Sequence, residues 1–299
     1  MANFYSLYWQ IREYLLKHLY PILVVDNQYD FKKAYKNKFF FDSLSDIPPS
    51  FNPTFKVKGF CIPCYREVDF IVDMQFGGKK INDLYYPNLR ERLECPLCHM
   101  NNRQRLVATI IKQILTDDRK KVIYFMEQVT PIFLHFQNNF VGKTIIGSEY
   151  LGFGFKSGEE YEGINHQDIE NLSFSEDSID LIVSNDVFEH VPNPQKAFSE
   201  CYRTLKKNGI MIFTIPFYSD LLKSISRANR EDGVMNFILP KVFHGNPVSQ
   251  DGSLVFTDFG WDILTWLKEI GFSKSNLEIY SSKKSGHYGG GELIFKAIK

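Results

Sequence analysis

Four of the five cysteines fall in two matched pairs, Cys61-Ile-Pro-Cys64 and Cys95-Pro-Leu-Cys98, with thirty residues between them. A CxxC turn brings two thiolates to one point, and its backbone amides can hydrogen-bond the sulfurs. Four sulfurs in tetrahedral geometry suit zinc. Four sulfur ligands leave no open coordination position, so the expected metal is structural. Four unligated buried cysteines would not need this paired spacing, and a dithiol redox role lacks a thioredoxin-like context. His99, next to Cys98, is read as a bystander. A second polar constellation is the NDVFEH run over 185–190, which follows an abrupt change from apolar to polar residues.

The elements that position this run can be read on either side of it. Ile179–Val183 is a short β-branched apolar run of the kind that makes a buried strand. A helix is expected from Pro194, with Ala197, Tyr202 and Leu205 on its apolar face and Lys206-Lys207 at its end, stopped by Asn208-Gly209. Gly209–Ile215 is a second buried strand, closed by Pro216. Together they form one right-handed crossover of a parallel sheet. Ligands of open α/β sheets lie beyond the carboxyl ends of the strands, which places Asn185 to His190 at a site. Further strands are expected at Lys121–Phe125, Thr144–Gly147, Tyr161–Ile169, Leu277–Ser281 and Glu292–Ile298, with a helix over Asp258–Gly271 that packs through Trp261, Leu264 and Leu267. Upstream, residues 4–20 have the spacing of an amphipathic helix that docks on the protein or on a second copy. Residues 27–55 read as an irregular connector, and Val68–Met74 and the segment near Leu84 as strands of a small zinc ribbon.

The 178–217 stretch resembles the middle of a class I S-adenosylmethionine-dependent methyltransferase of the type-11 group. The resemblance rests on SNDVFEHV after an acidic strand, LKKNGI at a helix end, and MIFTIPF; it extends more weakly over 95–299. It implies an α/β fold: a Rossmann-like seven-stranded methyltransferase sheet with a small N-terminal zinc-ribbon module. The expected division is 1–55 as helix and connector, 56–100 as zinc ribbon, and 101–299 as catalytic domain with a substrate-side insertion over 218–257. Several positions match the family's cofactor contacts. Glu149, ending the second strand, would accept both ribose hydroxyls, since a carboxylate offers two acceptor oxygens to a vicinal diol. Asp168 and Ile169 would hold the adenine, and Asn185 and Asp186 would face the sulfonium.

The family's glycine-rich first turn is replaced by Met126-Glu127-Gln128-Val129-Thr130-Pro131. Here Thr130 is expected to cap a helix with Pro131 at its first position, and Glu127, with Gln128 beside it, would reach the cofactor's ammonium group. Arg103 and Arg105, just past the second knuckle, either contact an anion or form a solvated helix start. The catalytic candidates are His190 and His244, each able as a neutral imidazole to take a proton from an oxygen or nitrogen nucleophile. The alternatives are a loop-fixing or cofactor-contacting His190 and a turn histidine at 244. Arg227, Arg230, His287 and Tyr288 are the substrate-side candidates, and the two arginines are equally readable as solvated.

The chain has 299 residues, 44% of them hydrophobic, enough to bury a large core. Basic and acidic residues balance at 35 each, which argues against a strongly basic nucleic-acid-binding surface. No stretch reads as a membrane span or a signal peptide, and paired cysteines suit a reducing compartment, so a cytoplasmic setting is expected. The implied cofactors are S-adenosylmethionine and structural zinc. The implied partner is a polar small-molecule or glycan acceptor, with a homodimer through the N-terminal helix. An RNA or protein methyltransferase that grips its substrate through the ribbon is the alternative enzyme, and a non-catalytic scaffold with the same fold is the alternative of another class.

Overall fold

The structure, a computed structural model, describes residues 19–37, 40, 47–115, 120–140, 142–231 and 233–299. The expected helix over 4–20, and the homodimer contact assigned to it, lie outside these residues but for Leu19 and Tyr20.

The apolar runs of the chain assemble into one mixed sheet of seven strands. They are β1 (Leu23–Val25), β2 (Val122–Phe125), β3 (Thr144–Gly147), β4 (Ile179–Asn185), β5 (Leu205–Thr214), β6 (Lys274–Ser282) and β7 (His287–Ile298), in the order β1-β6-β7-β5-β4-β2-β3. β4 lies between parallel neighbours: Leu181 is opposite Ile123 on one side and Ile210 on the other. Consecutive Leu181, Ile182 and Val183 are all buried, so both faces of the strand are covered and this run is apolar without alternation. β7 is antiparallel to β5, with Phe213 opposite Phe295 and the two rings stacked at 5.0 Å. Among the described residues the α-helices are α1 (Gln28–Tyr35), α2 (Asn102–Ile114), α3 (Pro131–Asn139), α4 (Pro194–Thr204) and α5 (Asp262–Ile270). This mixed seven-stranded sheet is a class I methyltransferase-like, Rossmann-like α/β fold, as expected.

Three local expectations are corrected. Tyr161–Ile169 does not add a strand. It forms a two-residue hairpin, Glu160–Tyr161 with Ile164–Asn165, and a single parallel bridge from His166 to Glu149. Positive φ at Glu162 and Gly163 turns the chain back on itself there, and the seventh place in the sheet goes to β1. α4 ends at Thr204 rather than at Lys206-Lys207, because Leu205 is already extended, fully buried and paired with Ile179. Asn208-Gly209 then forms an irregularity within β5 rather than a helix stop: pairing resumes at Leu181 opposite Ile210. Finally, α1 lies in the expected irregular connector. Asn27 accepts the Asp30 amide at 2.9 Å, and buried Phe31 meets the Trp261 ring edge-on at 5.3 Å.

The described residues divide into two compact units. One comprises 19–24, 32–37, 40, 47–115 and 278–294; the other comprises 25–31, 120–140, 142–231, 233–277 and 295–299. In the first, hairpin Phe55–Cys61/Arg66–Val72 contributes to a small core of Phe70, Val72, Leu89 and Leu93 with Cys61 and Cys95, and a shorter hairpin pairs Lys79–Ile81 with Leu84–Tyr86. A fully buried ring such as Phe70 contributes roughly 1.5–3 kcal/mol, so so small a core needs a further tie. In the second, the 218–257 insertion is built of short antiparallel pairs. These are Ile225–Ser226 with Thr257–Asp258, Ala228–Glu231 with Val234–Phe237, and Phe243–Asn246 with Ser249–Leu254. Among the described residues no helix is long and apolar enough to cross a membrane.

Candidate functional site

In the first unit the two CxxC turns meet. The sulfurs of Cys61, Cys64, Cys95 and Cys98 all lie within 4.8 Å of one another. Cys61 Sγ is 3.9 Å from Cys98 Sγ, and Cys64 Sγ is 3.8 Å from Cys95 Sγ. Ligands at about 2.3 Å from a tetrahedral zinc stand about 3.8 Å apart, so the donor set fits that ion. The Leu97 amide points at Cys95 Sγ at 3.4 Å, as expected of a knuckle. His99 instead approaches Glu94, at 3.5 Å.

The other candidates of this unit are engaged internally. Arg103 donates to both carboxylate oxygens of Glu91, at 3.1 and 2.9 Å. Arg105 is fully buried: it donates to the Ser285 and Gly286 carbonyls and lies over the Phe70 ring at 3.8 Å. This corrects both expectations for the pair, anion contact and solvated helix start. His287 is buried, its Nδ1 2.8 Å from Asn102 Oδ1, and burial holds its pKa well below the ordinary imidazole value. Asn102 Nδ2 also donates to Glu292 at 2.7 Å, a carboxyl pushed up to about 7 by burial. Tyr288 is half-buried, and its hydroxyl donates to the Lys283 carbonyl at 3.3 Å.

In the second unit the carboxyl ends of β2, β3 and β4 bring four of the expected cofactor residues together. Buried Glu127, just beyond β2, accepts from Asn185 Nδ2 at the end of β4. Asn185 Oδ1 is buried without a hydrogen-bond partner, an orphan that a ligand's ammonium group or hydroxyl would satisfy. Glu149 Oε1 accepts the Gln128 and Val129 amides at 2.7 and 3.1 Å, and burial raises its pKa. Gln128 itself is turned to the 163–165 turn: it donates to the Gly163 carbonyl and accepts the Asn165 amide, at 2.8 and 2.9 Å. The loop that replaces a glycine turn is thus held by side chains. Thr130 does occupy the N-cap position of α3 with Pro131 behind it, but its hydroxyl makes no capping bond and is buried unpaired. Asp186 takes a left-handed φ of 54°, and its Oδ1 accepts from Thr214 Oγ1 at 2.9 Å.

Asp168 is half-buried and Ile169 buried. Asp168 Oδ1 caps the turn below it by accepting the Glu170 amide at 2.9 Å. Above them His166 accepts the Leu151 amide at Nδ1, its ring between Tyr150 and Phe155.

Beyond β4, the turn Phe188–His190 meets the insertion. The Phe256 amide donates to the Glu189 carbonyl at 2.7 Å, and His190 Nδ1 lies 2.8 Å from the Leu254 carbonyl. These bonds bring the His190 and His244 rings to 5.0 Å and 89°. Between them sits Glu189, fully buried, to which the sequence gives no role. Its neighbours in the NDVFEH run were the only signal, because the partner histidine lies more than fifty residues away. Arg227 pairs with Asp258 at 2.5 Å and donates to the Pro240 carbonyl, while Arg230 stacks at 3.9 Å on exposed Phe153.

Against known families, residues 155–213 match the Methyltransferase domain family. The match covers about a fifth of the chain and takes in Asp168, Ile169, β4 and the NDVFEH run. A search of curated proteins returns no match. Among solved structures, an S-adenosylmethionine-dependent methyltransferase from Mesorhizobium loti shares 13% identity, covering 64% of this chain and 96% of that one at a TM-score of 0.39. The 1,6-didemethyltoxoflavin-N1-methyltransferase of Burkholderia thailandensis shares 13%, covering 66% and 77% at 0.38. A Galdieria sulphuraria protein assigned as a sarcosine dimethylglycine methyltransferase shares 22% at 0.30, over 38% of this chain and 45% of that one; this chain thus spans less than half of its length. Scores this low carry no inference about function. The sheet and the family match together make this a class I methyltransferase-like fold that carries a buried four-cysteine cluster able to hold a metal.

Proposed function

We propose that the chain is an S-adenosylmethionine-dependent methyltransferase that modifies an oxygen or nitrogen of a polar small molecule, with a sugar or glycan-pathway intermediate as first choice. The observation that carries this reading is the convergence of Glu127, Asn185, Asp186 and Glu149 at the carboxyl ends of β2–β4. The cofactor supplies an electrophilic methyl group on a cationic sulfonium. Around it, Glu127 and Asn185 Oδ1 offer acceptors to an ammonium group, Glu149 offers a carboxylate to the ribose diol, and Asp168 with Ile169 holds the adenine. The carboxylates also suit the cofactor's two positive charges. His190 and His244 are the catalytic pair, placing the acceptor's nucleophile and governing its proton. Arg227 and Arg230 shape the acceptor side through the contacts described. Zinc on Cys61, Cys64, Cys95 and Cys98 is structural, 56–100 is its module and 101–299 the catalytic part, and the setting is cytoplasmic.

One observation favours the scaffold reading: Glu149 Oε1 already accepts two amides of the first loop, and Gln128 is bound to the 163–165 turn. Calorimetric titration of the zinc-replete protein with S-adenosylmethionine and S-adenosylhomocysteine decides between the two. Micromolar binding that is lost in Glu149→Ala and Asp168→Ala supports the enzyme. Folded protein that binds neither ligand is the scaffold.

A further inference from the structure

The trio Glu189, His190 and His244 carries more than a proton-transfer role. Glu189 Oε1 lies 3.6 Å from His190 Nε2 and 3.6 Å from His244 Nδ1. Both separations are too long for hydrogen bonds. They match two ligands of one ion: donors about 2.1 Å from a metal and roughly 110–120° apart stand about 3.4–3.6 Å from each other. All three ligand atoms lie within 4.8 Å of one another.

Two further observations point to a cation in that space. Glu189 is fully buried, and neither carboxylate oxygen has a hydrogen-bond partner; a buried carboxylate left this way is costly unless a positive charge is close. His190 Nδ1 faces the Leu254 carbonyl at 2.8 Å. A carbonyl can only accept, so Nδ1 carries a proton and Nε2 is the nitrogen that faces the carboxylate. A cation between them would take both the carboxylate oxygen and this nitrogen as ligands. A ring N–H donated to a backbone carbonyl, with the other nitrogen turned inward, is also how a metal-ligating histidine is usually oriented.

We propose that Glu189, His190 and His244 bind a divalent first-row transition-metal ion, separate from the four-cysteine site. Two imidazoles and one carboxylate suit such an ion and leave coordination positions open. The open positions would take an oxygen of the acceptor, a hydroxyl above all, and lower its pKa; in that role the histidines position through the metal. This last step rests on the methyltransferase reading. The metal site does not.

The test is titration of zinc-replete protein with Mn2+ and Co2+, followed by calorimetry, by metal analysis after gel filtration and, for Mn2+, by electron paramagnetic resonance. Wild type is expected to take up one ion beyond the cysteine-bound one. Glu189→Gln, close in shape, should lose it while keeping its cysteine-bound zinc and its melting temperature. His244→Ala, on a hairpin with a partly exposed side chain, should weaken binding at least tenfold. Wild type with no second ion, or a second ion retained at full affinity in both variants, overturns the site. Because the readout contains no methyl donor, a protein that binds the second ion but not S-adenosylmethionine would sink the methyltransferase reading alone.

Discussion

The two candidate metal sets differ in how the chain builds them. The four cysteines are delivered by two short turns, each a complete pair, and packed among Phe70, Leu89 and Leu93. Glu189 and His190 sit on a three-residue turn, and their third partner arrives from a hairpin more than fifty residues on. Four sulfurs close the coordination sphere of an ion, whereas two nitrogens and an oxygen leave it open. A closed set can only hold the fold together; an open one can hold a substrate as well. Breaking each set should therefore have a different consequence.

The largest effect is expected at the cysteines. Replacing Cys61 by Ala, or stripping the ion with a chelator, removes the central tie of a small core and leaves three thiols crowded together. The expected loss is several kcal/mol, enough to unfold the first unit. Hydrogen exchange should then become fast across 55–100 while amides of β4 and β5 stay protected. Equal loss of protection in both would show that the units do not unfold separately. Glu189→Gln, by contrast, should leave exchange across 55–100 unchanged.

A buried carboxyl in the first unit supplies the next effect. Glu292 is pushed up to about 7 from an ordinary value of 4.5, chiefly by burial. Between those values the folded chain holds a proton that the unfolded chain lacks. Stability from this group is therefore complete below about pH 4.5, falls as the pH rises to about 7, and is flat above. A shift of this size corresponds to roughly 3 kcal/mol. Glu292→Gln can still accept from Asn102, so denaturant midpoints of this variant should lose that part of the decline between pH 5 and 7. A variant as pH-sensitive as wild type would place the proton elsewhere.

What the residues revealed in advance follows the same division. The cysteine knuckles, β2, β3 and β4 were legible because their signals are local: a CxxC spacing, or an apolar run long enough to be covered on both faces. Glu189 was not, because a lone glutamate beside a histidine says nothing until the Phe243–Asn246 hairpin returns to it. The short strands of 218–257 carry no periodicity long enough to read. His287 read as a substrate-side candidate, yet it is buried and paired with Asn102. Arg103 and Arg105 read as anion contacts or as a solvated helix start because their partners, Glu91 and the 285–286 carbonyls, are remote or are backbone. The end of α4 was misplaced by three residues, Lys207 against Thr204, because sheet pairing at Leu205 outweighed helix propensity at two lysines.

The loop after β2 tests the comparison on the cofactor side. Glu149→Ala removes two charge-assisted bonds to the Gln128 and Val129 amides, a change on the order of 1.5–3 kcal/mol. Because β3 itself is untouched, the loss should appear mainly as faster amide exchange at 128–129 and a modest fall in melting temperature. Glu149→Gln keeps an acceptor for the amides but lacks the carboxylate. If the loop stays ordered in that variant while S-adenosylmethionine affinity falls more than tenfold, Glu149 serves ligand and loop together. If both are unchanged, its role is confined to the loop.

The smallest expected effect concerns sign rather than size. At a helix N-cap, replacing threonine by an apolar residue ordinarily costs about 1 kcal/mol, because its hydroxyl holds a free amide of the first turn. Thr130 sits at that position without making the bond, and its hydroxyl is buried without a partner. Valine keeps the branched shape and removes the unpaired oxygen, so Thr130→Val should raise stability by about 0.5–1 kcal/mol. Chemical denaturation at a pH where Glu292 does not titrate would read this directly. A gain means that Pro131, not the threonine side chain, sets the start of α3, and that the loop is held from the Glu149 side. A loss of about 1 kcal/mol would instead return Thr130 to the capping role its position suggests.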